Sequence, residues 1–134
     1  MGPKSKGTGA EGWRRKLEEA KEFLDMAVAE FGEARASGDG KRAQDACGKV
    51  WLAVVRATEA LFLKRGIEPR KLPKSHKGRR FLLGRMGSRE MRRLFHSLQA
   101  IFHIDGYYDG LVDWERLPEQ IEDAREFLRL VEEA

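Results

Sequence analysis

Between Trp13 and Ala34 the apolar residues Trp13, Leu17, Ala20, Leu24, Ala27, Phe31 and Ala34 recur at steps of four and three. That spacing lays a single apolar stripe along a helix of about seven turns. A stripe so long must be buried against other elements, so the chain needs partners of similar length. Charged residues such as Lys16, Glu18, Glu19 and Glu22 fill the outer faces, and Ser37-Gly38-Asp39-Gly40 ends the helix in a tight connection.

The rest of the sequence supplies those partners. A second helix is predicted from about Lys41 to Arg65, with Ala43, Ala46, Cys47, Val50, Trp51, Val54, Ala57 and Leu61 on a broad apolar face. Val50 to Val55 alone could be a strand, but the helical pattern continues on both sides without a turn signal. Gly66 stops this helix, and Pro69 and Pro73 prevent its resumption. Residues 67–76 form the one long connection, and Arg79 to Met86 a short helix ended by Gly87. Ser88 is a natural N-cap for a third long helix reaching about Tyr107, closed by Gly106 and Gly110. Pro118 suits the first turn of a last helix, where Leu117, Ile121, Ala124, Leu128 and Val131 repeat the 4-3 spacing. Short loops at 37–40 and 109–116 favour antiparallel neighbours. The expected fold is therefore all-α: an up-and-down four-helix bundle with one extra short helix. With 134 residues there is room for one core, so residues 11–134 read as a single domain behind a flexible tail, 1–10.

No apolar stretch approaches a membrane span and the N-terminus has no signal-peptide core, so a cytoplasmic protein without membrane attachment is expected. The single cysteine, Cys47, excludes an intramolecular disulfide and a multi-cysteine zinc site. Asn is absent and Gln occurs only at 44, 99 and 120, which fits either a heat-adapted source or a GC-rich genome.

The net charge of +4 hides an asymmetry. Residues 64–93 carry 12 basic and 2 acidic residues, whereas 105–134 carry 3 basic and 10 acidic ones. Such a basic run is a candidate nucleic-acid surface: Arg70, Lys71, Lys74 and Lys77 in the connection, Arg79 and Arg80 in the short helix, Arg92 and Arg93 in the third long helix. The competing reading is a solvated loop partly neutralised by the acidic C-terminal segment.

On a regular α-helical wheel the third long helix has two faces. Met91, Leu94, Phe95, Leu98, Ile101 and Phe102 centre near ~330°, and Arg89, Arg92, His96, His103 and Tyr107 near ~140°. His96 and His103 are then expected together, within ~20°, on the face turned away from the core. Ala100 and Ile104 make that face partly apolar, so a homodimer is expected through Ala100, Ile104 and Tyr107. Arg89-x6-His96 could pair a phosphate-holding guanidinium with a proton-moving imidazole, and Arg89, His96 and His103 are the candidate catalytic residues. A dimer would be needed to complete such a site, because His96 and His103 lie roughly 10 Å apart along one helix.

Other chemistry has little support. None of His76, His96 and His103 stand at i,i+4, and only Asp105 and Asp109 lie nearby, so neither a metal nor another cofactor is expected. Cys47 reads as packing, without a His or Asp partner in sequence. Tyr107 and Tyr108 are the only candidate base-stacking pair.

Three segments carry a resemblance. Ala43-Gln44 through Gly48-Lys49-Val50-Trp51 with Ala53, then Leu61 to Gly66, resembles the second helix of the HEPN superfamily. Ser75-His76 after the basic loop resembles the Ser-His pair of its prokaryotic paralogous-repeat (PaREP) branch, whose function is unknown. Phe102-His103-Ile104-Asp105-Gly106-Tyr107-Tyr108 resembles that branch's Leu-His-x-x-x-Tyr segment. The similarity extends over about Trp13 to Val131. It implies a helical bundle, commonly a homodimer, and for many members a metal-independent ribonuclease of toxin–antitoxin or defence systems beside a nucleotidyltransferase partner. The superfamily's catalytic pattern is Arg-x4-6-His. If His103 is the equivalent histidine, residues 96–98 here are His, Ser and Leu, and the arginine is missing. Arg89-x6-His96 fits the letters two turns earlier. The expectation is a homodimeric interaction module for nucleic acid, a nucleotide or a protein, with a metal-independent ribonuclease as the alternative.

Overall fold

The computed structural model describes residues 12–134, and residues 1–11, which include the expected tail, lie outside it. The described chain is all-helical. Helix α1 spans Gly12–Ser37, α2 Gly40–Lys64, α3 His76–Met86, α4 Arg89–Leu98 and α5 Leu117–Glu133. A single 3-10 turn, Pro69–Lys71, lies in the connection after α2, and α4 runs on as a π-helix, Gln99–Tyr108. None of the described helices is long and apolar enough to cross a membrane.

The 4-3 stripe of α1 is the buried face: Leu17, Ala20, Leu24, Ala27, Phe31 and Ala34 all lie in the core. Gly38, at φ 72°, turns the chain, and Asp39 accepts a hydrogen bond from Arg42 N to start α2. The ion pairs across the two helices define an antiparallel register. Glu33 meets Arg42 at 2.7 Å, Glu30 meets Lys49 at 2.8 Å, Glu19 meets Arg56 at 3.3 Å, and Lys16 meets Glu59 at 3.1 Å. The Glu33–Arg42 pair is exposed and stabilises little, Glu59 is buried and the Glu30–Lys49 pair half-buried, and the register rests first on the apolar stripe.

Helix α2 is the central element. Its buried residues include Val50, Trp51, Val54, Thr58, Leu61 and Phe62, and it packs against α1, α5 and the π-helix. Lys64 Nζ donates to the carbonyls of Val131 and Glu132, which puts the C-terminal ends of α2 and α5 together. At the other end, Gln44 Nε2 donates to Tyr107 O at 2.6 Å, so the end of the π-helix meets the start of α2.

Three local expectations change. The short helix begins at His76 rather than Arg79, because Ser75 Oγ accepts from Gly78 N and caps the helix three residues earlier. The third long helix is α-helical only to Leu98; beyond it the turns widen, as in the bond from Asp109 N to Ile104 O five residues back. Gly106 does not end the helix. It is buried inside the π-helix, and a Cβ there would meet Cys47 Sγ at 2.5 Å and Cys47 Cβ at 2.7 Å. Its missing side chain lets two helices touch, while Gly110, at φ 70°, makes the turn.

The wider turns also rotate the residues beyond Leu98. Each residue advances roughly 15° less than in an α-helix, so the lag reaches about 75° within five residues of Leu98. His96 stays on the exposed outer face of α4. His103 and Tyr107, expected beside it, turn toward α2.

Replacing Gly106 with Ala should destabilise the fold by about 1–3 kcal/mol through overpacking against Cys47. Cys47→Ala in the same chain should recover only part of this, since the contact to residue 47 Cβ remains. Gly84→Ala, where nothing stands within 4 Å of the added carbon, should be neutral or stabilise by up to about 1 kcal/mol. Urea denaturation of the three variants measures the difference.

Candidate functional site

The rotation of the π-helix builds a groove of about 350 Å³ over the middle of α2. Gly48, Trp51, Leu52, Val55 and Arg56 of α2 form its floor and one wall; His76 and Arg79 come from α3, and His103 and Tyr107 from the π-helix. Local geometry explains each placement. The Ser75 cap sets His76 on the first turn of α3. One turn on, Arg79 Nη1 donates to His76 Nδ1 at 2.8 Å. Gly48 has no side chain to collide with Tyr107, whose Cδ1 would stand 2.9 Å from a Cβ there.

Trp51 organises the rings. Its indole is 4% exposed, with Phe95 at 5.3 Å on the core side. His103 stacks on it at 5.2 Å and 24°, and His76 meets it edge-on at 5.2 Å. The two imidazoles lie 4.6 Å apart, edge to face. Tyr107 is parallel to His103 within 4°, and Tyr108 closes on His103 at 4.9 Å. Tyr107 and Tyr108 remain 44% and 64% exposed, so they form an aromatic rim above a buried floor.

The polar groups of the groove are mostly donors. Arginine only donates, so His76 accepts at Nδ1 and carries its proton on Nε2. Trp51 Nε1 and Arg79 Nε are buried and find no hydrogen-bond partner among the described residues. The nearby Glu59 carboxylate pairs with Lys16 at 3.1 Å and Arg56 at 3.7 Å, but its buried Oε1 also makes no hydrogen bond among the described residues. Burial lowers the pKa of His76, helped by the charges of His103, Arg79 and Arg80; burial also lowers that of His103. Both imidazoles are therefore neutral at pH 7 in the empty groove. Among the described residues no group of three or more His, Cys, Asp or Glu could hold a metal ion, so the imidazole pair has no third ligand from this set.

The candidate residues from the sequence divide among several surfaces. His103 and Tyr107 line the groove, and neither shares the outer face of His96. The reason is the π-helical lag. Arg79 lines the groove too, and Arg80 is half-buried near Gln99 Oε1 at 3.4 Å. Lys71, Lys74 and Lys77 are exposed around the start of α3, while Arg70 is paired with Glu68 and Arg92 donates to Gly87 O. Arg93 and His96 line a shallow depression on α4 with Glu90, Leu94 and Ser97; Arg89 is exposed outside it. Ala100 and Ile104 are exposed. Cys47 is buried, and burial pushes its thiol up to about 12, which leaves it an inert packing group.

His76, Trp51 and Arg56 were absent from the candidate site residues. The Ser-His resemblance had drawn attention to His76, but only the fold brings it to His103. Trp51 follows core spacing, and no sequence signal shows that its outer edge faces a groove. The acidic helix meets the basic segment through Lys64, which donates to the carbonyls of Val131 and Glu132, while Arg125 pairs with Glu122 and Arg129 with Glu126 inside α5. A second cavity, of about 380 Å³, lies by Cys47, Phe102, Asp105 and Asp113. It holds acids of its own and lacks the ring cluster.

The depressed imidazoles tie stability to pH. Below pH 6.5 the unfolded chain binds protons at His76 and His103 that the folded chain resists, so stability present above 6.5 is lost as pH falls toward the folded values. The melting temperature should drop between about pH 7 and pH 5. A His76→Gln, His103→Gln double variant should show a smaller drop, and an equal one would remove the pair from the account.

No protein family, curated protein or solved structure matches the chain. The functional reading therefore rests on the groove and its chemistry.

Proposed function

We propose that this chain is a HEPN-like four-helix interaction module that binds single-stranded RNA or a nucleotide through the α2 groove and the basic surface around α3. The observation that carries this reading is the cluster of Trp51, His76, His103 and Tyr107 beside Arg79, with buried donors that lack partners. Aromatic faces accept any base by stacking, and arginine and lysine hold phosphate. Lys71, Lys74 and Lys77 extend positive charge from the groove along the surface.

Ribonuclease activity is the second reading, favoured by the 4.6 Å approach of two imidazoles with an arginine bound to one. One imidazole would take the 2′-hydroxyl proton, the other would protonate the leaving oxygen, and Arg79 would steady the phosphate. Cleavage needs one imidazole protonated, whereas both pKa values are lowered in the empty groove. Binding is therefore the leading reading. Catalysis in this form would use His76, His103 and Arg79 of one chain instead of Arg89 and His96.

A homodimer through the exposed Ala100 and Ile104 belongs to the same proposal; Ile104 is 44% exposed on the far side of the groove-forming helix. Light scattering at tens of micromolar, a concentration chosen for ordinary affinities of about 1 μM, should show a dimer that Ala100→Glu weakens. A wild-type monomer removes this part.

RNA binding should be tight at low salt and fall as salt rises, with a log–log slope of about −0.7 per neutralised phosphate on a single strand. Charge reversal at Arg79 and Arg80 should lower both affinity and slope in fluorescence anisotropy. Unchanged values would show that the basic surface is merely solvated. In a parallel incubation with structured RNAs in EDTA, cleavage lost in His76→Ala and His103→Ala would establish the ribonuclease reading. Intact RNA would leave the binding reading alone.

A further inference from the structure

We infer that the groove is built for a terminal phosphate, a phosphomonoester carried by a mononucleotide or by the end of an RNA strand, in preference to an internal phosphodiester. This rests on the reading of the groove as a nucleotide site, and its basis is the count and kind of the polar groups there.

Three donors stand in one small groove with no acceptor spent on them. Trp51 Nε1 is one, on a side chain that is 4% exposed and cannot reach water. Arg79 Nε is the second, with Nη1 already committed to His76. The third is His76 Nε2–H, whose proton is fixed by that same bond from Arg79. Leaving buried donors unmade costs free energy, and a native fold does so where a ligand completes them. The ligand must bring acceptors. A phosphomonoester offers three non-bridging oxygens, which suits three donors, whereas an internal phosphodiester offers two.

Charge supports the same choice. A phosphomonoester carries close to two negative charges near neutral pH. The groups facing the imidazoles are Arg79 and Arg80 of α3, Arg56 and Trp51 of α2, and Tyr107 and Tyr108 of the π-helix. The one carboxylate nearby, Glu59, stands 3.1 Å from Lys16 and 3.7 Å from Arg56, and its buried Oε1 makes no hydrogen bond among the described residues. It lies outside the groove's lining, so a dianion entering the groove meets no carboxylate there among the described residues. The dianion would also favour protonation of His103, adding a charge-assisted bond that a singly charged diester supports less, while His76 keeps the neutral form that accepts from Arg79. The nearly parallel rings of His103 and Tyr107 supply a flat surface for the attached base, and about 350 Å³ lies within the range of small-ligand pockets.

Calorimetric titration of the full chain tests this with defined probes: uridine and adenosine 5′-monophosphates, their nucleosides, and their phosphate methyl esters. A short single-stranded RNA with a 5′-phosphate is compared with the same strand bearing a 5′-hydroxyl. The monophosphates, the phosphorylated strand or both should bind at least about tenfold more tightly than their counterparts, the increment of one charge-assisted bond. The arm that gains shows whether a free nucleotide or a strand end is the ligand. Trp51→Phe keeps an aromatic ring and removes the donor, so it should weaken monophosphate binding about tenfold more than it weakens nucleoside binding. In the wild type, the ring NMR signals of His103 at about pH 6 should move toward the imidazolium positions on adding monophosphate and not on adding methyl ester. Equal binding in both comparisons, ester against monophosphate and strand against strand, overturns the inference. If that equal strand binding is still lost in Arg79→Gln, the nucleic-acid reading stands without it. Failure of every probe to bind overturns both.

Discussion

The contact between Cys47 and Gly106 decides where α2 and the π-helix can lie, and the candidate site depends on it. With no side chain at Gly106, the widened turns of Gln99–Tyr108 settle onto the N-terminal half of α2. A few residues away Gly48 does the same for the ring of Tyr107. Two glycines, one on each helix, thus allow a close approach that an alanine at either position would oppose. The approach is lateral, but its effect is rotational. It fixes a helix whose π turns have already carried His103 away from His96 and toward Trp51.

Trp51 then links packing to chemistry. Its core side meets Phe95, which is fully buried, and its outer side carries His103 and His76. The imidazoles consequently sit on a rigid floor, held by the same side chain that fills the core beneath them. Rigidity has a cost in this position. The indole N–H and the Arg79 Nε–H lack partners, and both histidines are held away from their protonated forms. A fold selected for stability alone would relieve these strains with an acceptor or an apolar substitute. Their concentration in one groove is the ground on which a ligand site is proposed there.

Helix order, the breaks at Gly38 and Gly66, the cap at Ser88 and the core stripes of α1 and α5 were all legible in the sequence, because each rests on local spacing or on a residue with one backbone use. The uneven charge was legible too, though not which acids meet which bases. What escaped was the face of the helix after Leu98. Wheel arithmetic assumes a constant angle per residue. Nothing in Gln99-Ala100-Ile101-Phe102 announces a wider turn, and an error of about 15° per step becomes a different neighbour by His103. Gly106 was misjudged for a related reason: a glycine near a predicted helix end looks like a stop signal, and only the three-dimensional contact with Cys47 reveals its packing role.

The same correction changes the logic of the candidate chemistry. With His96 and His103 on one outer face, any two-imidazole site would have required a second chain to complete it. With His76 and His103 in contact across α2, both imidazoles, an arginine and the stacking rings belong to one chain. Self-association and ligand binding, as proposed, would be separated in space: Ala100 and Ile104 are exposed, while the groove is lined from α2, α3 and the π-helix. A dimer formed through that outward strip would hold two independent grooves, and disrupting it would leave each groove's set of donors intact. Any coupling between them would run through the π-helix, where the exposed Ile104 follows the groove-lining His103 in sequence.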